Sequence, residues 1–273
     1  MRDILDFLKT EKIDRFAFCD FSKARVINPV KLERLEKLWG KAPQTVMVFL
    51  APYSVGTDEP GNISLYARSR DYHLYFGGFF DRLGEYLGPD GASDFAGFSD
   101  NSPVDEVDLA VRSGLGVRGD NSLLIDRTYG SFIFIGEIFF RTDPGYPLSE
   151  MDRSGECLHC GRCKKACPVG CVGTKDRSLC LSYLSQKKRL EEHEEELLVR
   201  HGVLWGCDEC QLCCPMNKSA KKTPLEFFSS DRVPFLTDET LDEIVSGGTF
   251  ADRAFSWRGE NVLRRNLNLT KRS

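Results

Sequence analysis

No apolar stretch in this chain approaches the roughly 18 residues that a membrane-crossing helix needs, so it offers no candidate span. Its opening, Met1-Arg-Asp-Ile-Leu-Asp-Phe-Leu-Lys9, has the pattern of an amphipathic helix and not of a signal peptide. The expectation is a cytoplasmic protein without membrane contact. A large excess of charge of one sign is also lacking. The formal net charge is −4 over 273 residues, which argues weakly against a dedicated nucleic-acid binder. No tandem repeat is apparent beyond paired cysteine groups. Cysteine is missing altogether from residues 20–156, yet the chain holds 11 of them. Without an export signal, that many thiols fit a reducing compartment and metal binding, not disulfides.

The cysteines that are present follow a spacing rule. Cys157, Cys160, Cys163 and Cys167, with Pro168 after them, spell the Cys-x-x-Cys-x-x-Cys-x-x-x-Cys-Pro run of bacterial ferredoxins. In that run three thiolates wrap one cubane [4Fe–4S] cluster, and the fourth reaches a second cluster. A structural zinc site would use four ligands and leave seven further cysteines unexplained. Downstream, Cys207-Asp-Glu-Cys210-Gln-Leu-Cys213-Cys214-Pro215 repeats the theme but lacks its expected last cysteine, since position 217 is Asn217. Pro215 follows Cys214 as Pro168 follows Cys167, which makes Cys214 the crossing ligand. One cluster then takes Cys157, Cys160, Cys163 and Cys214. The other takes Cys167, Cys207 and Cys210, with either Cys180 or Cys213 as its fourth thiolate. Cys19, in Phe16-Ala-Phe-Cys19, and Cys171 read as packed thiols.

A two-cluster ferredoxin core accounts for only part of this length, so a second domain is required. The pattern predicts an α+β protein. Its N-terminal mixed sheet is flanked by helices over residues 1–150. A ferredoxin-like two-cluster domain follows over 151–232, and an extension with a basic tail over 233–273. Helices are expected at 2–10, 30–39 and 64–87, with another opened by Ser102-Pro103. Strands are expected near 14–19, 45–51, 95–98, 122–126 and 131–140. Pro144-Gly-Tyr-Pro147 marks the boundary before the clusters, and 181–200 reads as one charged helix. The tail carries Arg253, Arg258, Arg264, Arg265, Lys271 and Arg272 against Asp252 and Glu260, where a phosphate-bearing partner could be met.

Two N-terminal constellations carry possible chemistry. Gly114-Leu-Gly116-Val-Arg-Gly119 has dinucleotide-loop spacing, but its glycines close a helix and precede a strand. A phosphate-binding loop needs the reverse order, so a Rossmann site is rejected. Asp100-Asn-Ser-Pro103 is by itself a turn into a capped helix. Its functional reading makes Asp100 a proton donor at a pocket mouth, which burial permits by raising a carboxyl pKa.

Tyr66-Ala-Arg-Ser-Arg-Asp-Tyr-His73, Asp100-Asn-Ser-Pro103, the Gly114–Gly119 loop, Gly130-Ser-Phe-Ile-Phe-Ile-Gly136-Glu137, Cys157–Pro168, Cys180-Leu-Ser-Tyr-Leu184 and Gly206–Pro215 stand in the order seen in epoxyqueuosine reductases. The chain resembles that cobalamin-dependent, two-cluster family from about Leu5 to Leu267. The resemblance implies that Cys180 completes the second cluster with Cys167, Cys207 and Cys210, leaving Cys213 as an extra thiol. It implies a corrin-binding type of N-terminal domain, with Ser64, Arg70, His73, Asn121 and Ser131 toward cobalamin and Asp100 as the acid. The implied reaction converts epoxyqueuosine to queuosine in tRNA, with electrons from a flavodoxin- or ferredoxin-type donor, in a monomer. Two departures stand out. Val117-Arg118-Gly119-Asp120 replaces the family's usual Trp-Ile-Gly-Lys and reverses a charge near the expected site. The chain also resembles a short form, without the C-terminal helical-repeat domain of many relatives, which weakens the expectation of tRNA recognition. Two other readings follow from these departures. One is a corrinoid reductase of a small molecule, as in the related reductive dehalogenases. The other is a two-cluster electron-transfer protein without catalysis of its own. Corrin content and tRNA binding separate the three.

Overall fold

The computed structural model describes residues 3–151, 155–174 and 176–272. Two compact units interleave along the chain. The first comprises Met1–Pro52, His73–Gly119 and Leu123–Leu158; the second, Tyr53–Tyr72, Asp120–Ser122 and His159–Ser273.

The first unit is built on one four-stranded sheet. Its strands are β1 (Phe16–Asp20), β2 (Thr45–Pro52), β3 (Phe95–Ser99) and β6 (Ile133–Phe140), in the spatial order β1-β2-β6-β3. A separate two-stranded ribbon joins β4 (Val117–Arg118) to β5 (Leu124–Ile125). Around them lie α1 (Ile4–Thr10), α2 (Pro29–Trp39), α3 (Tyr72–Ala92) and α4 (Glu106–Arg112). The four-stranded sheet is antiparallel throughout, which corrects the mixed sheet expected from alternating helices and strands. Asp20 pairs with Thr45, and the Phe21 N–H donates to the Gln44 carbonyl. The connection through α2 therefore starts and ends at one edge of the sheet, and the next strand must run back.

Every residue of β2 is buried, as its β-branched apolar run predicts. Alternate residues face opposite sides. Val46, Val48, Leu50 and Phe139 form one core with Leu35 and Trp39 of α2 and Leu109 and Ala110 of α4. On the other side Phe49 stacks on Phe79 of α3 at 4.7 Å, and Phe79 meets Phe7 of α1 edge-on at 5.2 Å. Gly136 permits that packing, since a Cβ there would lie 2.4 Å from atoms of the Phe49 and Phe76 rings.

Two helix starts differ from expectation, each because the backbone finds other partners. The helix predicted over 64–87 begins only at Tyr72, and α3 breaks at Gly88 (φ 77°) ahead of Pro89. Upstream, Leu65 N–H donates to the Asp208 carboxylate and Asp71 N–H to the Asp252 carbonyl, which draws 53–72 into the second unit. The helix expected at Ser102-Pro103 is α4, capped instead by Asp105, whose carboxylate accepts from Asp108 N–H. The Pro103 carbonyl is already taken by the N–H groups of Ile27 and Asn28.

In the second unit the single helix expected over 181–200 is two, α6 (Leu181–Leu184) and α7 (Glu192–His201). Glu191 and Glu194 form a reciprocal capping box that starts α7 afresh. Short helices α5 (Arg162–Ala166), α8 (Glu209–Leu212) and α9 (Glu226–Ser229) surround the cysteine loops, followed by α10 (Asp238–Ser246) and α11 (Glu260–Thr270). Trp205 is fully buried in a core with Ile63, Ala67, Leu236, Leu241, Phe255, Leu263 and Leu267. Buried Asn266 of α11 ties that core together, donating to the Ser185 and Leu204 carbonyls at 2.7 Å each. Among the described residues, no helix is long and apolar enough to cross a membrane.

Candidate active site and cluster loops

In the first unit β3 delivers the chain to a loop in which Asp100 (φ 52°) and Asn101 (φ 39°) both adopt the left-handed conformation. Aspartate and asparagine tolerate that region better than other side chains. The Asp100 carboxylate lies 3.8 Å from His73 Nε2, and both side chains are about half exposed (52% and 55%). Lys31 donates to the Asn101 carbonyl and sits 5.7 Å above the Phe98 ring, which fixes the loop from one side. Behind it stand two acids that sequence reasoning passed over. Glu106 opens α4, and burial, then the negative charges of Asp100 and Asp105, push its carboxyl up to about 7. Glu137 on β6 is completely buried, and neither of its oxygens has a hydrogen-bond partner among the described residues. Burial holds its carboxyl well above the ordinary range; the nearby Ser102 hydroxyl works the other way, and Glu106 and Asp105 add to the rise.

The glycine loop behaves as its context predicts. Gly114 (φ 86°) turns the chain out of α4 into β4. The next residues, Asp120–Ser122, belong to the second unit. Asp120 accepts from His159 Nδ1 at 2.8 Å and pairs with Lys164 at 3.2 Å, and these two contacts lower its pKa. The charge reversal noted in the sequence is thus neutralised within the cluster unit.

The cysteine loops of the second unit group by their mutual influence. Burial pushes Cys207 up to about 11 and Cys210 to about 12, and each also feels Cys180. Cys213 is raised by burial and by Cys163 and Cys214. Cys210 feels Cys163 as well, so the two sets of thiols lie close enough to influence one another. Cys167 is lowered: burial opposes ionisation there, but backbone N–H groups of Val169, Val172 and Cys171 outweigh it. Its sulfur lies 3.7 Å from Cys171, whose own thiol is pushed to about 12 by burial and by the Cys167 and Cys180 sulfurs. Cys160 is exposed. Cys157 falls in the last stretch of the first unit. Cys19 is a packed thiol, raised to about 12 by burial.

The residues expected toward a corrin have varied surroundings. Ser64 is buried and donates to Asp208 at 2.5 Å. Arg70 lies over the Phe227 ring at 5.1 Å. Asn121 is buried, its amide 3.4 Å from the Cys210 carbonyl. Ser131, in the first unit, is buried beside the Asp126–Gly130 turn. His73 is the one that sits beside Asp100. A cavity of about 410 Å³ opens beside Cys207 in the second unit, lined by Ser64, Arg68, Trp205, Asp208 and Leu212 among others. The basic tail is internally paired: Arg253 with Asp231, Arg264 with Asp242 and Glu260, Lys271 with Asp238, and Arg258 over Trp257.

Residues 156–217 match the family of 4Fe-4S double cluster binding domains. The epoxyqueuosine reductase of Burkholderia pseudomallei is 36% identical over 204 residues, covering 68% of this chain and 50% of that protein. That of Escherichia coli is 33% identical over 208 residues, covering 75% and 51%. The chain is a relative of the epoxyqueuosine reductases. It spans about half the length of the curated relatives it matches. Among solved structures, epoxyqueuosine reductase from Streptococcus thermophilus superposes with a TM-score of 0.73 at 24% identity, covering 99% of this chain and 81% of that one. An epoxyqueuosine reductase holding an epoxyqueuosine-modified tRNA-Tyr stem loop gives 0.68 at 21% identity, covering 98% and 80%. These superpositions show that the fold of the epoxyqueuosine reductases is shared.

Proposed function

We propose that this relative of the epoxyqueuosine reductases reduces the epoxide of epoxyqueuosine in tRNA to the alkene of queuosine. The observation that carries the reading is 33–36% identity to enzymes of that name in a chain that also holds a double-cluster domain. Thiolate sulfurs in the ferredoxin spacing are the donor set cubane clusters require, so the residues present fit the cofactor. Cys157, Cys160, Cys163 and Cys214 hold one cluster; Cys167, Cys180, Cys207 and Cys210 hold the other. That division follows the cysteine spacing and the family resemblance. When bound, the clusters supply single electrons at low potential, fed by a flavodoxin- or ferredoxin-type carrier.

Asp100 is the acid that protonates the departing oxygen. Its exposure, its left-handed loop and the adjacent His73 give it reach toward a bound base. A Bacillus subtilis epoxyqueuosine reductase has been captured with a catalytic loop, named for its aspartate, swung out of the active site. Cobalamin enters the proposal through the family resemblance. Ser64, Arg70 and Asn121 already engage protein partners, and a corrin contact from any of them requires that bond to be exchanged. Ser64, Arg70 and Asn121 belong to the second unit, and His73 and Ser131 to the first.

The test uses the full chain reconstituted without oxygen, with cobalamin supplied. Two clusters require about eight irons per chain. Epoxyqueuosine-containing tRNA should be converted to the queuosine form. Asp100→Asn should lower turnover by about 100-fold or more, the range typical of a positioned acid, at unchanged iron content. Full turnover by that variant would remove Asp100 from the mechanism. Iron without cobalt or tRNA turnover would favour an electron-transfer protein.

A further inference from the structure

Glu137 is the only charged residue in the strand Ile-Phe-Ile-Gly-Glu-Ile-Phe-Phe. It lies in one row with Ile135 and Phe139, directly across from Val48 on β2 and Phe98 on β3. That row faces α4, whose first residue is Glu106. Two residues beyond Phe98 the chain reaches Asp100. Glu137 feels Glu106, and Glu106 in turn feels Asp100, so the three carboxyl groups form a chain of neighbours from the centre of the sheet to its exposed rim, and the innermost is completely buried. Full burial, with Glu106 and Asp105 adding their negative charge and only the Ser102 hydroxyl opposing, favours the neutral acid at Glu137.

The proposed reaction makes a demand that one acid cannot meet. Converting an epoxide to an alkene breaks both C–O bonds, consumes two electrons and two protons, and releases water. The electrons arrive singly from the low-potential carrier by way of the clusters. A carboxyl group holds one proton, so Asp100 must be reloaded within a turnover. Its solvent-facing side is the side a substrate covers while being protonated, which leaves the protein interior as the source.

We propose that Glu106, backed by the buried carboxyl of Glu137, returns a proton to Asp100 between the two bond-breaking steps. The inference rests on the function proposed above. Glu106 touches no substrate and acts through Asp100. The groups facing it are Asp100 from the loop, Glu137 from β6 and Asp105 beside it. Asp105 is itself paired with Arg118 at 3.0 Å and Arg25 at 3.5 Å, and Lys31 is occupied by the Asn101 carbonyl. No cation in this set is left to hold Glu106 ionised. With its carboxyl pushed to about 7, Glu106 is poised to give and regain a proton near neutral pH.

The test compares Glu106→Gln, Glu106→Asp and Glu137→Gln in the reconstituted full chain. Glu106→Gln should lower kcat by about tenfold with KM unchanged, a smaller effect than losing the acid itself. The wild-type kcat should fall as pH rises through about 7, and that limb should vanish in Glu106→Gln and return in Glu106→Asp. Infrared spectroscopy gives a readout independent of turnover. In mildly alkaline buffer the wild type should retain a protonated-carboxyl carbonyl band that Glu137→Gln removes. A second band titrating near neutrality should be missing from Glu106→Gln. Epoxyqueuosine reduction by Glu106→Gln at the wild-type rate and pH profile would overturn the relay and leave the proposed function standing. A wild-type chain that leaves epoxyqueuosine unreduced would overturn both. Loss of neither infrared band would refute the store of protons whatever the activity.

Discussion

Replacing Asn266 with alanine tests whether α11 is structural support for the cluster loops. The Asn266 amide is completely buried and donates to two carbonyls, Ser185 and Leu204, at 2.7 Å each. Its own oxygen accepts from Arg265 at 2.9 and 3.1 Å. Alanine removes both donors and leaves two carbonyls without them in the core, at about 1–3 kcal/mol each, so the loss should be about 2–6 kcal/mol. For a unit of this size that corresponds to a fall of about 5–15 °C in melting temperature. Ser185 closes the segment begun at Cys180, and Leu204 precedes Cys207 by three residues. The cluster absorbance of Asn266→Ala should therefore bleach in the same urea transition as the loss of secondary structure, at a lower midpoint than wild type. Asn266→Asp, which keeps the shape but removes the donors and adds a charge, should be at least as damaging. A shift worth less than about 1 kcal/mol in Asn266→Ala would refute the argument, because water or rearrangement would then be satisfying those carbonyls.

Two further outcomes follow from the geometry. Cys180→Ser should lower bound iron by about half, consistent with loss of one of two clusters, whereas Cys213→Ser should retain the wild-type iron content in the same anaerobic assay. Acid should destabilise the second unit through Glu59, whose pKa is lowered by its hydrogen bond from Arg232 and also by Arg68. The folded value is depressed, so this stabilisation is fully present above the ordinary value of 4.5 and is lost as pH falls toward the folded one. Glu59→Gln should flatten that part of a stability-against-pH curve; an unchanged slope would show the pairs contribute nothing.

The parts legible in the sequence are those in which one local pattern has one physical meaning. The apolar run at Thr45–Ala51 could only be a buried strand, and β2 is buried at every position. The cysteine spacing is a ligand pattern with few rivals, and it falls within the matched double-cluster domain. Residues 64–71 misled because helical periodicity is silent about long-range partners. Leu65 N–H and Asp71 N–H are taken by Asp208 and Asp252, far along the chain. Direction in the sheet was hidden for a similar reason, since alternating helices and strands do not say at which edge a connection returns. Glu137 was missed although a signal existed: alternation with Ile135 and Phe139 puts it on the covered face of its strand. Its isolation from any donor, however, is a fact of three dimensions.

The core around Trp205 has a consequence for how the protein is made. Its walls include Ile63 and Ala67, well before the cysteine loops, and Leu263 and Leu267, well after them. Such distant partners make folding slow and place its completion late. During synthesis the cysteine loops emerge from the ribosome before α11, so they spend that interval as unsupported thiols. Insertion of iron and sulfide is then timed by the arrival of α11, and the interval before it is the stage most exposed to oxidation.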